Sequence, residues 1–139
     1  WAENIEGGNV TYAQGDVIYH ATTTSTTRGD IYAMNTSGVV VPADADAVAT
    51  ASTILCVALG ANASLGLLLR GIVVLRISPG ASPGLPIYLS TTAGNAQAAA
   101  PSETGDVVRV LGYQLTPNGE GDNVNVCYFN PDNTWVELT

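Results

Sequence analysis

The sequence has no lysine. Its cations are four arginines (Arg28, Arg70, Arg76 and Arg109) against 12 acidic residues, for a formal net charge of -8. Such a chain cannot present the basic stripe that holds a phosphate backbone, so nucleic acid is excluded as a partner. Charge of any sign is sparse at 12%, while hydrophobic residues reach 46%. That is the reverse of the composition that leaves a chain disordered. Aromatics are 6%, which gives a sugar-cleaving cleft little to stack on. Histidine occurs once, as His20, and the two cysteines form no C-x-x-C pair, so a zinc centre has no ligand set. No long apolar run occurs. The most apolar stretch, 65–77, is interrupted by Arg70 and Arg76 and falls short of the roughly 18 residues that a membrane span needs. Residues 1–20 carry Glu3, Glu6 and Asp16 and lack the basic start of a signal peptide. A chain that begins at Trp1 reads as a processed product or a part of a longer one.

What is present is glycine, threonine, serine, valine and alanine. With 139 residues, one domain with a real core is expected. Apolar residues alternate in short runs bounded by Gly, Asn, Asp and Pro, the pattern of strands and tight turns. Val17-Ile18-Tyr19-His20, Ile31-Tyr32-Ala33-Met34, Val39-Val40-Val41, the runs 54–59, 65–77 and 107–115, and 124–129 all read as strands. Asn35-Thr36-Ser37-Gly38 reads as a hairpin turn. Gly71 reads as a bulge or kink in its strand. The Thr-rich run 21–28 fits either an exposed edge strand or a loop. Residues 42–53 form the one helix-tolerant stretch, sufficient for a turn or two. Residues 78–86 are a Pro/Gly connector.

The two halves repeat an order of features. Gly29-Asp30-Ile31-Tyr32 leads to Asn35-Thr36-Ser37-Gly38, an Ala-rich return, and Cys56-Val57-Ala58-Leu59-Gly60. Gly84-Leu85-Pro86-Ile87-Tyr88 leads to Ser90-Thr91-Thr92-Ala93-Gly94, a second Ala-rich return, and Val108-Arg109-Val110-Leu111-Gly112. Each half reads as a hairpin followed by a crossing strand, with one apolar face that needs a partner. The expected fold is all-β: a small antiparallel sandwich or barrel built from two related β-hairpin units, with little or no helix. Residues 1–28 form an N-terminal arm with the first strands. Residues 29–139 form the β-domain, its repeats at about 29–77 and 84–138.

The candidate chemistry is thin. Gly80-Ala81-Ser82-Pro83-Gly84 matches G-x-S-x-G, but Pro83 removes the amide that an oxyanion hole needs after the serine, and no helix follows. His20 has no nucleophile or acid to match it. Asp44 and Asp46, with Glu120 and Asp122, could collect a calcium ion, but neither run continues into an EF-hand, and acidic surface loops are the simpler reading. Asn9, Asn35 and Asn62 open N-x-[ST] triplets, a pattern that matters only in a secreted eukaryotic chain. Cys56 and Cys127 read either as buried free thiols or as one long-range disulfide. No catalytic, metal or cofactor residues are assigned. Candidate partner-interface residues are Trp1 and Ile5 in a docking arm, Arg70 and Arg76, which interrupt an apolar strand and suit a neighbour's carboxylates, and Trp135, which either caps the core or anchors into a partner.

The run Gly29-Asp30-Ile31-Tyr32, Gly38-Val39-Val40, Ala43-Asp44-Ala45-Asp46, Val57-Ala58-Leu59-Gly60 and Leu68-Leu69-Arg70-Gly71 resembles domains in structural proteins of tailed bacteriophages. So does Gly84-Leu85-Pro86-Ile87-Tyr88-Leu89-Ser90 with Gly105-Asp106-Val107-Val108-Arg109-Val110-Leu111-Gly112, closed by Tyr128-Phe129-Asn130-Pro131-Asp132 and Trp135-Val136-Glu137. The resemblance covers about 29–138. Similar domains occur in capsid decoration (cement) proteins and at the ends of fibre or appendage proteins. It implies a non-enzymatic virion protein on the outer surface of the capsid, assembled in the host cytoplasm. Its expected partners are the major capsid protein and copies of itself, as a homotrimer, with no membrane and no nucleic acid. The alternative it implies is a fibre or appendage domain that binds a host-surface receptor or glycan.

Overall fold

The computed structural model describes residues 13–119 and 124–139. The described chain is nearly all β: a curled antiparallel sheet forms a half-barrel, with a small second sheet beside it. The first hairpin unit is β2 (Ile31–Met34) and β3 (Val40–Pro42), followed by the return strand β4 (Leu55–Ala58). Its turn is made by Asn35, whose Oδ1 accepts from the amides of Ser37 and Val39. The second unit is β6 (Pro86–Leu89) and β7 (Ala96–Gln97), followed by β8 (Val107–Val108) and β9 (Val110–Gln114). Each unit hands on to a further strand, β5 (Leu67–Val74) after the first and β10 (Val126–Phe129) after the second. The order β3-β2-β4-β5-β10-β9-β6-β7 therefore reads alike from either edge: hairpin partner, first strand, return strand, next strand. The first described strand, β1 (Ala13–Ile18), pairs along β5, and β11 (Val136–Glu137) pairs with β8 as the second sheet.

The helix-tolerant stretch contributes a single turn, α1 (Val48–Ala51). The Thr-rich run 21–28 is a loop with one isolated bridge, Ser25 to Asn62. It is held by Thr26 N to Ala61 O, by Ala63 N to Thr24 O and by Thr26 Oγ1 to Gly60 O.

One row of residues sets the curl. Gly15, Gly71, Phe129, Gly112 and Ile87 face one another in register across β1, β5, β10, β9 and β6. Phe129 is fully buried and lies between two glycines. Gly71 and Gly112 have φ of +144° and +141°. A Cβ on Gly112 would collide with the Tyr128 carbonyl oxygen, and one on Gly71 with that of Gln14. Glycines in this conformation let the strands bend, and the aromatic ring fills the space they leave. The bulge expected at Gly71 lies next to it: the β1–β5 register skips Leu69, and the glycine itself is a kink.

The Ala-rich returns line the core where main chains meet. Ala43, Ala45 and Ala51 of the first return and Ala96 of the second are buried. Small side chains there let the units approach across the open side. Ile31 N donates to Gly94 O, Gly94 N to Ala43 O, Ala45 N to Ser90 O and Val107 N to Ala45 O. The Asp30 carboxylate takes a two-pronged bond from Arg76, at 2.7 and 2.9 Å, and packs against Gly94.

Strand alternation gives the first unit two buried faces. Ile31, Ala33, Leu55, Val57 and Leu68 enter the main core, while Tyr32, Val40, Cys56, Ala58 and Leu67 form a second cluster on the outside of the sheet. The loop 20–28 covers that outer cluster, and Thr27 N donates to the Tyr32 hydroxyl at 2.8 Å. Cys56 belongs to the outer cluster and Cys127 to the core, so they lie on opposite faces and both are free. Burial pushes each thiol up to about 12.

Candidate functional site

The sheet leaves a gap where its two units join. β1 occupies one edge of β5, so β10 and β4 share the other. Both run antiparallel to β5. β10 ends with Phe129 opposite Gly71, and β4 takes up the ladder only at Val57 opposite Leu68. Pro131 has no amide to carry β10 further, and the chain turns away along β9 through Asn130 N to Leu111 O and Asp132 N to Val110 O. Between the strand ends lies an open cleft of about 680 Å³.

Arg109 forms the inner wall. It sits at the break between β8 and β9, where the chain passes from the small sheet to the large one. It is 5% exposed. Its Nη1 donates to the carbonyls of Ala51 and Thr53, and its Nε to that of Asp132. It thereby ties the end of α1 to the loop after β10, one unit to the other. Burial lowers its pKa and the charge of Asp132 raises it. The indole of Trp135 stacks on the guanidinium, 4.8 Å from ring centre to Cζ. On the opposite wall Arg70 pairs with Asp16 at 3.2 Å, both side chains well exposed. Ile54 and Leu69 supply apolar surface, and Asn130, Asn133, Ser52 and Thr53 supply polar rim.

The structure brings Arg70 and Trp135 to this cleft and places Arg76 elsewhere, against Asp30. Both arginines that sequence assigned to a neighbour's carboxylates have a carboxylate within the chain. Trp135 is partly exposed over a cation rather than over the core. Trp1, Ile5, Glu120, Asp122 and Asn9 lie outside the described residues. Arg109 was missed, although it interrupts an apolar run just as Arg70 and Arg76 do.

The remaining motifs stay apart from the cleft. Ser82 is exposed in a tight turn that its carbonyl closes with Leu85 N. Among the described residues His20 Nδ1 bonds to Thr22 alone. The Asp44 carboxylate accepts from Asp46 N, and burial raises its pKa, helped by a side-chain bond to Asp46. Asn62 caps the 3-10 turn Ala63–Leu65 through Ser64 N.

A second feature lies on the outside of the second unit. Pro86, Tyr113, Tyr128 and Ile72 stand in register across β6, β9, β10 and β5. Tyr113 is 48% and Tyr128 37% exposed, and Leu115 beside them is 45% exposed. No family model matches the chain, and no curated protein or solved structure matches it either.

Proposed function

We propose that this chain is a non-enzymatic structural protein of a tailed-phage virion. In this reading it is a capsid decoration, or cement, protein on the outer surface of the head. It stabilises the shell by bridging capsid subunits, in contact with the major capsid protein and with copies of itself in a homotrimer. The observation that carries the reading is the tyrosine row of the second unit. A partly apolar sheet face left open is the kind of surface that a neighbour covers. Tyrosine suits such a place, being large, stiff and polar at its tip. The curled sheet that carries it is set by Gly71 and Gly112, which flank the buried Phe129, and we take it as the stiff element that carries load. The net charge of -8 disfavours contact with packaged DNA and suits an outward surface.

The test is addition of the purified protein to undecorated capsids. Density spread over the capsid lattice and a higher temperature of capsid rupture support the reading. Binding to whole host cells with none to capsids overturns it. Light scattering on the isolated protein decides the trimer separately. One feature favours the second reading, a fibre or appendage domain that binds a host receptor or glycan: the cleft at the junction of the two units.

A further inference from the structure

The cleft presents polar groups of both kinds around an indole. The Asp16–Arg70 pair lies at its mouth with side chains 66% and 60% exposed, so both groups still have bonding capacity toward a ligand. The pair is neutral as a unit. A lone anion would meet the Asp16 carboxylate, and a lone cation the two guanidiniums. Asn130 and Asn133 can each donate and accept. Thr53 Oγ1 is buried in the cleft wall and has no partner among the described residues. Arg109 uses Nε and Nη1 on carbonyls, while its Nη2 makes no hydrogen bond to the described residues. Trp135 is 37% and Ile54 49% exposed beside these groups. A ligand that fits has hydroxyls able to donate and accept, apolar C–H faces, and no charge of its own.

We propose that the cleft between the ends of β10 and β4 binds a neutral saccharide. A hexose ring packs by its C–H face on the exposed part of Trp135 and Ile54. Its hydroxyls exchange bonds with Asp16, Arg70 and the amides of Asn130 and Asn133. The volume of about 680 Å³ lies within the range of roughly 300–1,000 Å³ usual for small-ligand sites. The proposal deepens the glycan reading by naming the site and the ligand class. It is independent of capsid attachment, because the tyrosine row and the cleft are different surfaces.

The test is titration of the 15N-labelled protein with maltotriose, cellotriose, mannotriose and chitotriose. Trigalacturonic acid and an acidic hexapeptide serve as charged arms. The expected result is saturable shifts of the Trp135 indole N–H and the Asn130 and Asn133 side-chain amides with at least one neutral trisaccharide. Arg70→Gln and Asn133→Ala, both at exposed positions, should keep the wild-type spectrum and weaken binding by about tenfold each. Trp135→Ala should abolish it. Shifts with no neutral sugar overturn the proposal, as do tighter binding of either charged probe or shifts that map away from the cleft. A protein that decorates capsids but binds no sugar defeats this proposal alone. One that binds sugar but not capsids defeats only the cement reading.

Discussion

The two units share one strand order but finish their outer faces differently. In the first, Tyr32, Cys56 and Leu67 are covered by the loop 20–28 and the turn Ala63–Leu65 and are almost fully buried. In the second, Tyr113 and Tyr128 stand on the corresponding outer side and remain exposed. The same chain thus builds a hairpin unit with two buried faces and another with one. The difference lies in the connections. A long Thr-rich segment precedes β2 and folds back over its unit, whereas the Pro/Gly connector 78–86 leads straight into β6. A sheet face costs little to leave open when it is made of tyrosines, which keep their hydroxyls in water. It then stays available for a partner.

The comparison can be broken at several points, the most severe being the glycine row. Gly112→Val forces a Cβ into the Tyr128 carbonyl at φ +141°. We expect a loss of about 4 kcal/mol or more, seen as failure to fold or a much lower urea midpoint. Gly38→Ala meets open space and only the strain of φ +77°, and should cost about 1–2 kcal/mol. Next comes the covered face against the open one. Tyr32→Ala removes a buried ring and the acceptor of the Thr27 amide, and should cost roughly 3 kcal/mol. Tyr128→Ala should cost under about 1 kcal/mol. Equal losses in chemical denaturation would erase the distinction between the units.

Arg109 links the units, and Arg70 does not depend on that link. Arg109→Met leaves the carbonyls of Ala51, Thr53 and Asp132 without their donor and should cost roughly 2 kcal/mol. Arg70→Gln, at an exposed pair, should cost under about 0.5 kcal/mol. The smallest effect at neutral pH is that of the thiols, one on each face. Each has an ordinary pKa of 9.0, raised to about 12 in the folded protein. Above pH 9 the unfolded chain releases protons that the folded chain still holds. Their contribution is therefore complete below pH 9 and is lost as pH rises towards 12, by about 1.4 kcal/mol per pH unit for each thiol. Replacing both by alanine should flatten that alkaline slope in denaturation midpoints measured from pH 8 to 11.

Much of this fold was legible in the sequence. Turn residues and alternating apolar runs marked the hairpins, whereas the Ala-rich returns read only as part of a repeat and, at 42–53, as helix-tolerant, and their close main-chain contacts were not foreseen. The Leu-Gly ends that helped to match the halves do not share a register, since Ile31 faces Val57 while Ile87 faces Gly112. Motif matching follows residue identity, whereas register follows which side chains the core accepts. The role of the Thr-rich loop was not readable, because its bonds run to residues some thirty-five positions away, as from Thr26 to Gly60 and Ala61. The cleft was only half legible. Arg70 and Trp135 stood out by type, but the gap between them exists because two strand ends share one edge of β5, a fact of pairing and not of composition.

The central claim is that the tyrosine row of the second unit is the surface a capsid neighbour covers. Hydroxyl-radical footprinting of the protein, free and on capsids, tests it most directly. The account predicts that Tyr113 and Tyr128 lose most of their reactivity on the capsid while Tyr32, already buried, shows no change. Tyr113 and Tyr128 as reactive on decorated capsids as in free protein would contradict it.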